Sequence, residues 1–476
     1  MTFCSRILLF ALALAAGASL AAAGQTAAAA GSWPAWRGPE ATGVSPGGTP
    51  PLTWSEQSNV RFKVRLPGRG LASPIVWDDR IFILASEPVD HAAYARSRQA
   101  AEEKQKRRQW PPAVTPVRQR FLVLAYSRAD GHLLWRRTAA ETVPTESHYI
   151  DASWASASPV TDGKRLIAHF GSNGTYAYDL DGHLLWKTDL GDMRTRNGFG
   201  EGSSPVLHGD TVVINWDHEG DSFIVALDAD TGKPRWRDDR PGEVTSWSTP
   251  LIVVVSGKPQ VVVSATGKSR GYDLETGEQV WQLGGMSTNT IPSPAAGDGI
   301  VYLLSGYRDT IVQAVSLARA RGDLENSDAV LWTYEKNTPY VPSPLLYDGR
   351  LYFLKSNRNI LSDLDAATGA PHFTERLPAI HTVYASPVGA AGRVYVFDRD
   401  GHATVLRHGP TFEIVAENSL DDGVDASPAI AGPDLIVRGH EYLYCLSSMD
   451  GGNVTSASAT PADDHVAGRK TGAHRH

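Results

Sequence analysis

The stretch VALDADTGKPRW, from Val225 to Trp236, holds two short strand patterns joined by a tight turn. Its Thr-Gly pair supplies the positive φ angle that a tight hairpin turn requires, and apolar residues precede the turn as in a buried strand. Related stretches recur along the chain and end in an aromatic residue, at Trp135, Trp186, Trp281 and Phe373. The recurrence indicates that the stretch belongs to a longer repeated unit.

A second recurring signal is a small hydroxyl residue directly before proline. Eight copies have their hydroxyl residue at Ser73, Ser158, Ser204, Thr249, Ser293, Ser343, Ser386 and Ser427. From the second copy onward the steps are 46, 45, 44, 50, 43 and 41 residues. A period of this size indicates a propeller or a solenoid.

Each repeated unit has the pattern of four short strands, A to D. In the third unit, SPVLHGD gives strand A and a turn, TVVIN strand B, SFIVALD strand C and KPRWR strand D. Four antiparallel strands in each of eight units predict an all-β protein, an eight-bladed β-propeller. A solenoid fits less well, because these units are meanders with hairpin turns.

The two ends of the repeat region complement one another. The last unit stops after strand C, whereas NVRFKVRLPGRG near the start resembles strand D, with Phe62 at the aromatic position. We therefore expect residues 59–66 to pair with residues 441–448 and to close the last blade, which removes two open sheet edges. The strand-D aromatics are expected to pack between neighbouring blades as structural residues.

Outside the repeats, composition predicts the remaining organisation. Residues 1–23 resemble a signal peptide, with Arg6 before an apolar run and small residues up to Ala23, so we expect a periplasmic or secreted protein. A membrane anchor is the weaker alternative, because the run is short. Residues 24–52 are expected to form an N-terminal extension, 53–448 the propeller, 86–120 a partly helical insertion in blade 1, and 449–476 a disordered tail.

Charge and cysteine content exclude some classes of partner and of stabilisation. The net charge is -7, so no basic excess is available for nucleic acid. Outside the predicted signal peptide the chain has one cysteine, Cys445, which cannot form an internal disulfide. No other segment is apolar enough to span a membrane, and we expect a monomer.

The ALDADTG…W unit with its adjoining Ser-Pro strand resembles the pyrroloquinoline-quinone-type propeller repeat. Quinoprotein dehydrogenases share this repeat with the non-catalytic barrel-assembly lipoproteins of the BamB-like type. The resemblance implies the fold and leaves the function open. The sequence departs from both groups: it has neither the adjacent Cys-Cys pair nor a C-x-x-C-H motif of the dehydrogenases, and Gly24 stands where the lipoproteins have a lipidated cysteine.

The D–A and B–C connections of a propeller lie on one face, called the rim here, and in this sequence they are the longer and more polar ones. We expect the rim to bind a protein or glycan partner, although polar loops that only keep a surface soluble would give the same pattern. The candidate binding residues are His148, Asn197, Glu201, Trp216, Asp217, His218, Glu219, Trp247, Arg308, Arg358, His381, Arg399 and His440.

The densest polar cluster is WDHEGD, in which Asp217 and Glu219 are weak candidates for calcium ligands. Its spacing differs from the calcium-loop pattern, so the sequence favours a solvated acidic turn. Because no motif for a catalytic nucleophile is present, we expect an exported, non-catalytic scaffold without a cofactor. The alternative is a dehydrogenase with pyrroloquinoline quinone and calcium in the central funnel, where Trp247 stacks on the quinone.

Overall fold

In the computed structural model, which describes residues 31–448, the chain folds into a closed ring of eight sheets, each built on four antiparallel strands. The predicted eight-bladed β-propeller is thereby confirmed. The predicted signal peptide and C-terminal tail lie outside the described residues. Strands are numbered β1 to β35 in chain order, and the helix is α1.

The first four blades follow the chain from strand A to strand D. Blade 1 comprises β2 (Ile75–Trp77), β3 (Arg80–Pro88), β5 (Gln119–Ser127) and β6 (Leu133–Thr142). Blade 2 comprises β8 (Val160–Thr161), β9 (Leu166–His169), β10 (Thr175–Tyr178) and β11 (Leu184–Thr188). Blade 3 comprises β12 (Val206–His208), β13 (Thr211–Trp216), β14 (Phe223–Asp228) and β15 (Pro234–Asp239). Blade 4 comprises β16 (Leu251–Val255), β17 (Lys258–Val263), β18 (Lys268–Asp273) and β19 (Gln279–Gly284), and β23 (Gly322–Asp323) adds a parallel fifth strand.

The last four blades complete the ring. Blade 5 comprises β20 (Ala295–Gly297), β21 (Ile300–Ser305), β22 (Ile311–Ser316) and β24 (Val330–Tyr334). Blade 6 comprises β25 (Leu345–Tyr347), β26 (Arg350–Leu354), β27 (Ile360–Asp365) and β28 (Pro371–Arg376). Blade 7 comprises β29 (Val388–Ala390), β30 (Arg393–Phe397), β31 (His402–Arg407) and β32 (Ile414–Ser419). Blade 8 comprises β33 (Ala429–Ala431), β34 (Asp434–Arg438), β35 (Tyr442–Leu446) and β1 (Val60–Arg65).

Blade 8 joins the two ends of the repeat region. Its strand order is β33-β34-β35-β1, and the antiparallel register places Phe62 opposite Cys445 and Arg65 opposite Tyr442. The predicted closure by the N-terminal strand is confirmed. Because β1 pairs with the outer edge of β35, neither strand is left without a partner at the seam.

The Ser-Pro and Thr-Pro residues connect neighbouring blades around the axis. The backbone N–H of Ser73 donates to the Ser158 hydroxyl at 2.9 Å, that of Ser158 donates to Ser204 at 2.9 Å, and the pattern continues around the ring as far as Ser427. At the seam between blades 8 and 1, the side chain of Arg438 links the two blades, because it donates hydrogen bonds to the carbonyl oxygens of Ala72 and Leu84. The repeated hydroxyl residue therefore links neighbouring blades through a hydrogen bond.

The strand-D aromatics hold the blades together farther from the axis. The indole N–H of Trp186 in blade 2 donates to the carbonyl oxygen of Ala229, in the C–D turn of blade 3, at 2.8 Å. The same bond joins Trp135 to Leu180, Trp236 to Leu274 and Trp332 to Ala366, at 2.9, 2.8 and 3.2 Å. The predicted packing of these rings between neighbouring blades is confirmed.

The N-terminal extension crosses the face of the ring opposite the rim. Trp33 exchanges backbone hydrogen bonds with Val76 of blade 1, and Thr49 donates to Gly432 of blade 8. Between these anchors, the Trp36 indole N–H donates to the hydroxyl of Ser293 at 3.1 Å. Trp36 thus lies beneath the ring of hydroxyl residues and forms the floor of the central channel.

The excess residues of blade 1 lie between β3 and β5 and contain α1 (His91–Lys106) and β4 (Ala113–Val114). Asp90 caps the helix by accepting a hydrogen bond from the N–H of Ala93 at 2.9 Å. Strand β4 pairs with β7 (His148–Tyr149) in the D–A loop between blades 1 and 2. The insertion is therefore packed against the rim. Within residues 31–448, no helix has the length and apolarity needed to cross a membrane.

Candidate functional site

A cavity of about 340 Å³ lies on the axis of the ring and opens toward the rim. It is called the funnel here. The residue two positions before each Ser-Pro or Thr-Pro lines it in all eight repeats: Leu71, Ser156, Gly202, Trp247, Ile291, Val341, Tyr384 and Asp425. In an extended chain, residues two apart point to the same side, so these side chains share the channel face with the hydroxyl ring. The inner wall of the funnel is therefore formed by the residue at the same position in each repeat.

Aromatic rings from the loops extend this wall toward solvent. The ring centroids of Trp110 and Phe199 are 5.6 Å apart, and those of Phe199 and Trp247 are 6.2 Å apart. Across the funnel, Tyr307 and Tyr340 lie 4.8 Å apart. The indole N–H of Trp247 donates to the carbonyl oxygen of Gly200 at 2.6 Å, which fixes the ring in the wall.

One side of the funnel carries a network of charged groups. The Arg399 guanidinium donates to Asp425 at 2.7 and 3.1 Å and lies 3.1 Å from an oxygen of Asp151. Nε2 of His440 is 2.9 Å from the second oxygen of Asp425. Burial on its own raises the pKa of Asp425, but the hydrogen bonds from His440 and Arg399 outweigh burial and hold that pKa below its usual value.

The charges that face the funnel are carboxylates. Asp151, Glu201 and Asp425 line it, and no Lys or Arg is among the described residues that do so. Behind these carboxylates lie cationic groups: Arg399 pairs with Asp151 and Asp425, and the Arg69 guanidinium also interacts with Asp425. Among the described residues, the funnel lining therefore combines aromatic rings with carboxylates and has no basic side chain.

Glu201 stands between the funnel and a small internal cavity of about 20 Å³, which is large enough for a single water. Its carboxylate accepts hydrogen bonds from the backbone N–H and the hydroxyl of Ser172. Burial nevertheless raises the pKa of Glu201 to about 7. This carboxyl group therefore exchanges its proton near neutral pH.

The prediction of a solvated acidic turn in WDHEGD is wrong for its first residues. Asp217 is buried, 3.0 Å from the Arg240 guanidinium, and accepts a hydrogen bond from the Ser246 hydroxyl. His218 is also buried, and its Nδ1 accepts the N–H of Arg194. Arg240 lies 25 residues from Asn215, with which it also bonds, so the local sequence gives no indication of this partner. Burial raises the pKa of Asp217.

The other predicted rim residues take different positions. Glu219 accepts a hydrogen bond from the Thr245 hydroxyl at 2.9 Å, apart from Asp217, so the two weak calcium candidates form no common group among the described residues. Trp216 is a core residue stacked on Phe223. His148 is buried beneath the insertion, with Nδ1 2.6 Å from the Tyr149 carbonyl oxygen.

Asn197, Arg308 and Arg358 are exposed, and none of them lines the funnel. Of the predicted residues, the structure brings together Glu201, Trp247, Arg399 and His440 at or directly behind the funnel wall. His381 joins a separate group in blade 7. The aromatic and acidic funnel residues absent from the predicted set are Trp36, Trp110, Tyr149, Asp151, Phe199, Tyr307, Tyr340, Tyr384 and Asp425. The position two before each Ser-Pro identifies Tyr384 and Asp425.

Comparison with known proteins gives partial matches in sequence. Residues 119–322 match the sequence model of the family described as outer membrane protein assembly factor BamB. Subunit 1 of methanol dehydrogenase [cytochrome c] is 30% identical over 146 residues in Methylobacterium organophilum and 29% identical over 146 residues in Methylorubrum extorquens. Each match covers 26% of this chain, which spans 22% of the length of these relatives.

Solved structures match over more of the chain at low identity. BamB from Moraxella catarrhalis is 14% identical with a TM-score of 0.50, over 68% of this chain and 91% of that one. Quinohemoprotein alcohol dehydrogenase from Comamonas testosteroni is 11% identical with a TM-score of 0.48, over 92% of this chain and 83% of that one. A europium-containing methanol dehydrogenase is 12% identical with a TM-score of 0.46, over 86% and 89%. The predicted resemblance to the pyrroloquinoline-quinone-type propeller repeat is confirmed.

Proposed function

We propose that this chain is a non-catalytic binding protein that acts outside the cytoplasm and receives a basic side chain of a partner protein in its funnel. The observation that carries the proposal is the composition of the funnel lining, with aromatic rings and carboxylates but no lysine or arginine among the described residues. A lysine or arginine side chain of the partner supplies the positive charge that this lining lacks.

Aromatic faces attract cations through the ring quadrupole. The funnel already holds one such contact, since the Arg399 guanidinium lies 4.2 Å from the ring centroid of Tyr384. Trp247, Tyr307 and Tyr340 offer further rings on the other sides of the same cavity. A volume of about 340 Å³ is sufficient for one long basic side chain with part of its backbone.

The charged network strengthens this preference. Asp151 and Asp425 line the funnel with carboxylate groups, and both pair with Arg399, which is not part of the lining. Because Asp425 is almost fully buried, the attraction between its carboxylate and an incoming cation is weakly screened by solvent. Trp36, at the floor of the funnel, limits how far a side chain can enter.

The mouth of the funnel has the character of a protein-binding surface. The Trp110 side chain, on the insertion, is 62% exposed, and Tyr307 is 41% exposed. Exposed aromatic rings at the edge of a cavity are typical of the residues that dominate protein–protein binding energy. The glycan alternative rests on the same rings, and no separate observation favours it.

The quinone alternative fits the funnel less well. Pyrroloquinoline quinone carries three carboxylate groups, which need cations around them. The Arg399 guanidinium behind the funnel wall is already paired with two carboxylates. Asp217 is paired with Arg240 and so is not free for calcium. Trp247 has a suitable place for stacking, but its neighbours carry the wrong charge, and we derive no catalytic step.

Ligand-observed saturation-transfer NMR tests the proposal with three small probes: N-acetyl-lysine methylamide, N-acetyl-arginine methylamide and the neutral N-acetyl-norleucine methylamide. We expect the two cationic probes to bind and the norleucine probe to give at most a tenth of their signal. Trp247→Ala is expected to weaken binding about tenfold. Leu184→Ala, on the outer surface of blade 2, is the matched control and leaves binding unchanged.

Equal binding of the neutral and cationic probes contradicts the proposal. Addition of pyrroloquinoline quinone with calcium provides the competing test. A stable complex that reduces a dye in the presence of an alcohol establishes the dehydrogenase alternative in its place.

A further inference from the structure

We propose that the rim of blade 7 binds a divalent transition-metal ion of the zinc class through His381, Asp398, Asp400 and His402. His381 lies in the D–A loop between blades 6 and 7, and the other three residues belong to the B–C turn DRDGH between β30 and β31. One ligand atom from each side chain lies within 4.8 Å of the others.

The closest atoms of this group already have the spacing of metal ligands. His381 Nδ1 is 3.3 Å from Asp400 Oδ2 and 3.8 Å from Asp398 Oδ2. His402 Nδ1 is 3.3 Å from the same oxygen of Asp398. Tetrahedral zinc with bonds of about 2.0 to 2.2 Å separates neighbouring ligands by roughly 3.3 to 3.6 Å. Small side-chain rotations therefore suffice to enclose an ion.

Asp398 is a fixed ligand in this arrangement. Its side chain is fully buried, and one carboxylate oxygen accepts the backbone N–H groups of Asp400 and His402 at 3.0 and 2.9 Å. The other oxygen accepts the N–H of His381 at 3.0 Å and faces both imidazoles. The turn itself therefore holds one oxygen in place before any ion arrives.

The remaining three ligands are accessible from solvent. The side chains of His381, Asp400 and His402 are 64%, 63% and 40% exposed. They can therefore admit an ion without disturbing the core. Two imidazole nitrogens with two carboxylate oxygens match zinc and its first-row neighbours, whereas calcium and magnesium prefer oxygen ligands alone.

A second DxDGH turn shows what the sequence motif does without His381. In blade 2, Asp179 accepts the backbone N–H groups of Asp181 and His183 at 2.9 and 2.8 Å, and its other oxygen is 2.8 Å from the His183 imidazole. There Asp181 is paired with Arg80 at 2.9 Å. A turn motif alone thus explains the Asp398–His402 contact, but the placement of His381 and Asp400 at the same point is particular to blade 7.

The site adjoins the funnel network through the chain itself. Arg399 follows Asp398 directly, and its guanidinium pairs with Asp151 and Asp425 in the funnel wall. An ion held by this turn and by the D–A loop fixes the backbone that carries Arg399. The metal site does not depend on which ligand the funnel binds.

Isothermal titration of the full chain with zinc chloride tests the proposal. The parent protein carries His465→Ala, His474→Ala and His476→Ala, because these C-terminal imidazoles offer ligands of their own. We expect one ion per chain with micromolar or tighter affinity, and at least a tenfold loss of affinity in His381→Ala and in His402→Ala. His183→Ala, in the C–D turn of blade 2 that has the same sequence motif, is expected to bind zinc as the parent does.

Calcium chloride is the control titration, and we expect no heat of binding from it. Thermal unfolding without metal verifies that each variant is folded, since His381 and His402 leave the backbone bonds of Asp398 intact when truncated. The proposal is overturned if the parent binds no zinc at micromolar concentration, or if His381→Ala binds zinc as tightly as the parent.

Discussion

Arg399 and Asp425 form a two-point ion pair in the funnel wall, with Nε 2.7 Å from one carboxylate oxygen and Nη2 3.1 Å from the other. The two residues come from different blades and are brought together by the ring. Asp425→Asn leaves the guanidinium with Asp151 alone, and we expect it to lower the free energy of unfolding at neutral pH by about 3 kcal/mol. Chemical denaturation of wild type and variant measures the difference.

The pH dependence of this effect follows from the lowered pKa of Asp425. A carboxyl group with a depressed pKa in the folded state contributes stability above its unfolded pKa, about 3.9, and loses it as the pH falls through the folded value. The difference between wild type and Asp425→Asn is therefore expected to shrink below about pH 4. A difference that stays constant into the acid range contradicts this account.

The pH dependence of stability that we expect from Glu201 has the opposite sign to that of Asp425. Because burial raises its pKa to about 7, the folded state binds its proton more tightly than the unfolded state, and wild-type stability falls as the pH rises from about 4.3 to 7. Glu201→Gln removes this loss, so the variant gains stability relative to wild type over that range. Urea denaturation at pH 5 and pH 8 tests it, with the exposed Glu325→Gln as the control that shows no such gain.

The packing of tryptophan on the next blade can be tested at a glycine. A Cβ on Gly232 would lie 2.5 Å from the Trp186 ring, and its φ of +69° is also unfavourable for other residues. Gly209, in the A–B turn of the same blade, has a φ of +57° with no atom within 4 Å of its Cβ position. We expect Gly209→Ala to cost about 1 kcal/mol and Gly232→Ala roughly 2 kcal/mol more, because only the second adds a clash. Equal losses in denaturation midpoint contradict the inter-blade contact.

The ring of hydroxyl residues offers a similar comparison. The Ser204 hydroxyl accepts the backbone N–H of Ser158 at 2.9 Å, whereas the Ser73 hydroxyl, at the seam, has no hydrogen-bond partner among the described residues. Ser204→Ala leaves a buried N–H unpaired and is expected to cost about 2 kcal/mol. Ser73→Ala is expected to cost less than about 0.5 kcal/mol. Thermal unfolding of the two variants tests the order of these losses.

The sequence predicts the fold far better than the site for a physical reason. Blade number, closure at β1 and the strand-D aromatics depend on a local pattern that recurs with each repeat, so every copy supports the same conclusion. Trp247 and Glu201 were recognisable because their loops are rich in aromatic and charged residues. Asp425 was missed although it obeys the same rule as Trp247, two residues before the hydroxyl of a Ser-Pro pair.

Contacts between distant blades cannot be predicted from local sequence patterns. Asp151 and Arg399 are 248 residues apart, yet their side chains meet at 3.1 Å. Within blade 3, the buried partner of Asp217 is Arg240, which follows the hairpin of β14 and β15, so a polar stretch of the sequence lies in the interior. The closed ring of blades determines which loops face one another, and therefore which side chains meet in the functional site.

The pairing of β1 with β35 also determines when the molecule can become complete. Seven whole blades lie between Arg65 and its partner Tyr442. Because synthesis starts at the amino end, β1 is made first but stays unpaired until nearly all the rest of the chain has been made. Assembly therefore ends in a single late event that joins the most widely separated segments, with the slow kinetics that such non-local contacts impose. Until β1 and β35 pair, each of these strands has an unpaired edge that other chains can bind.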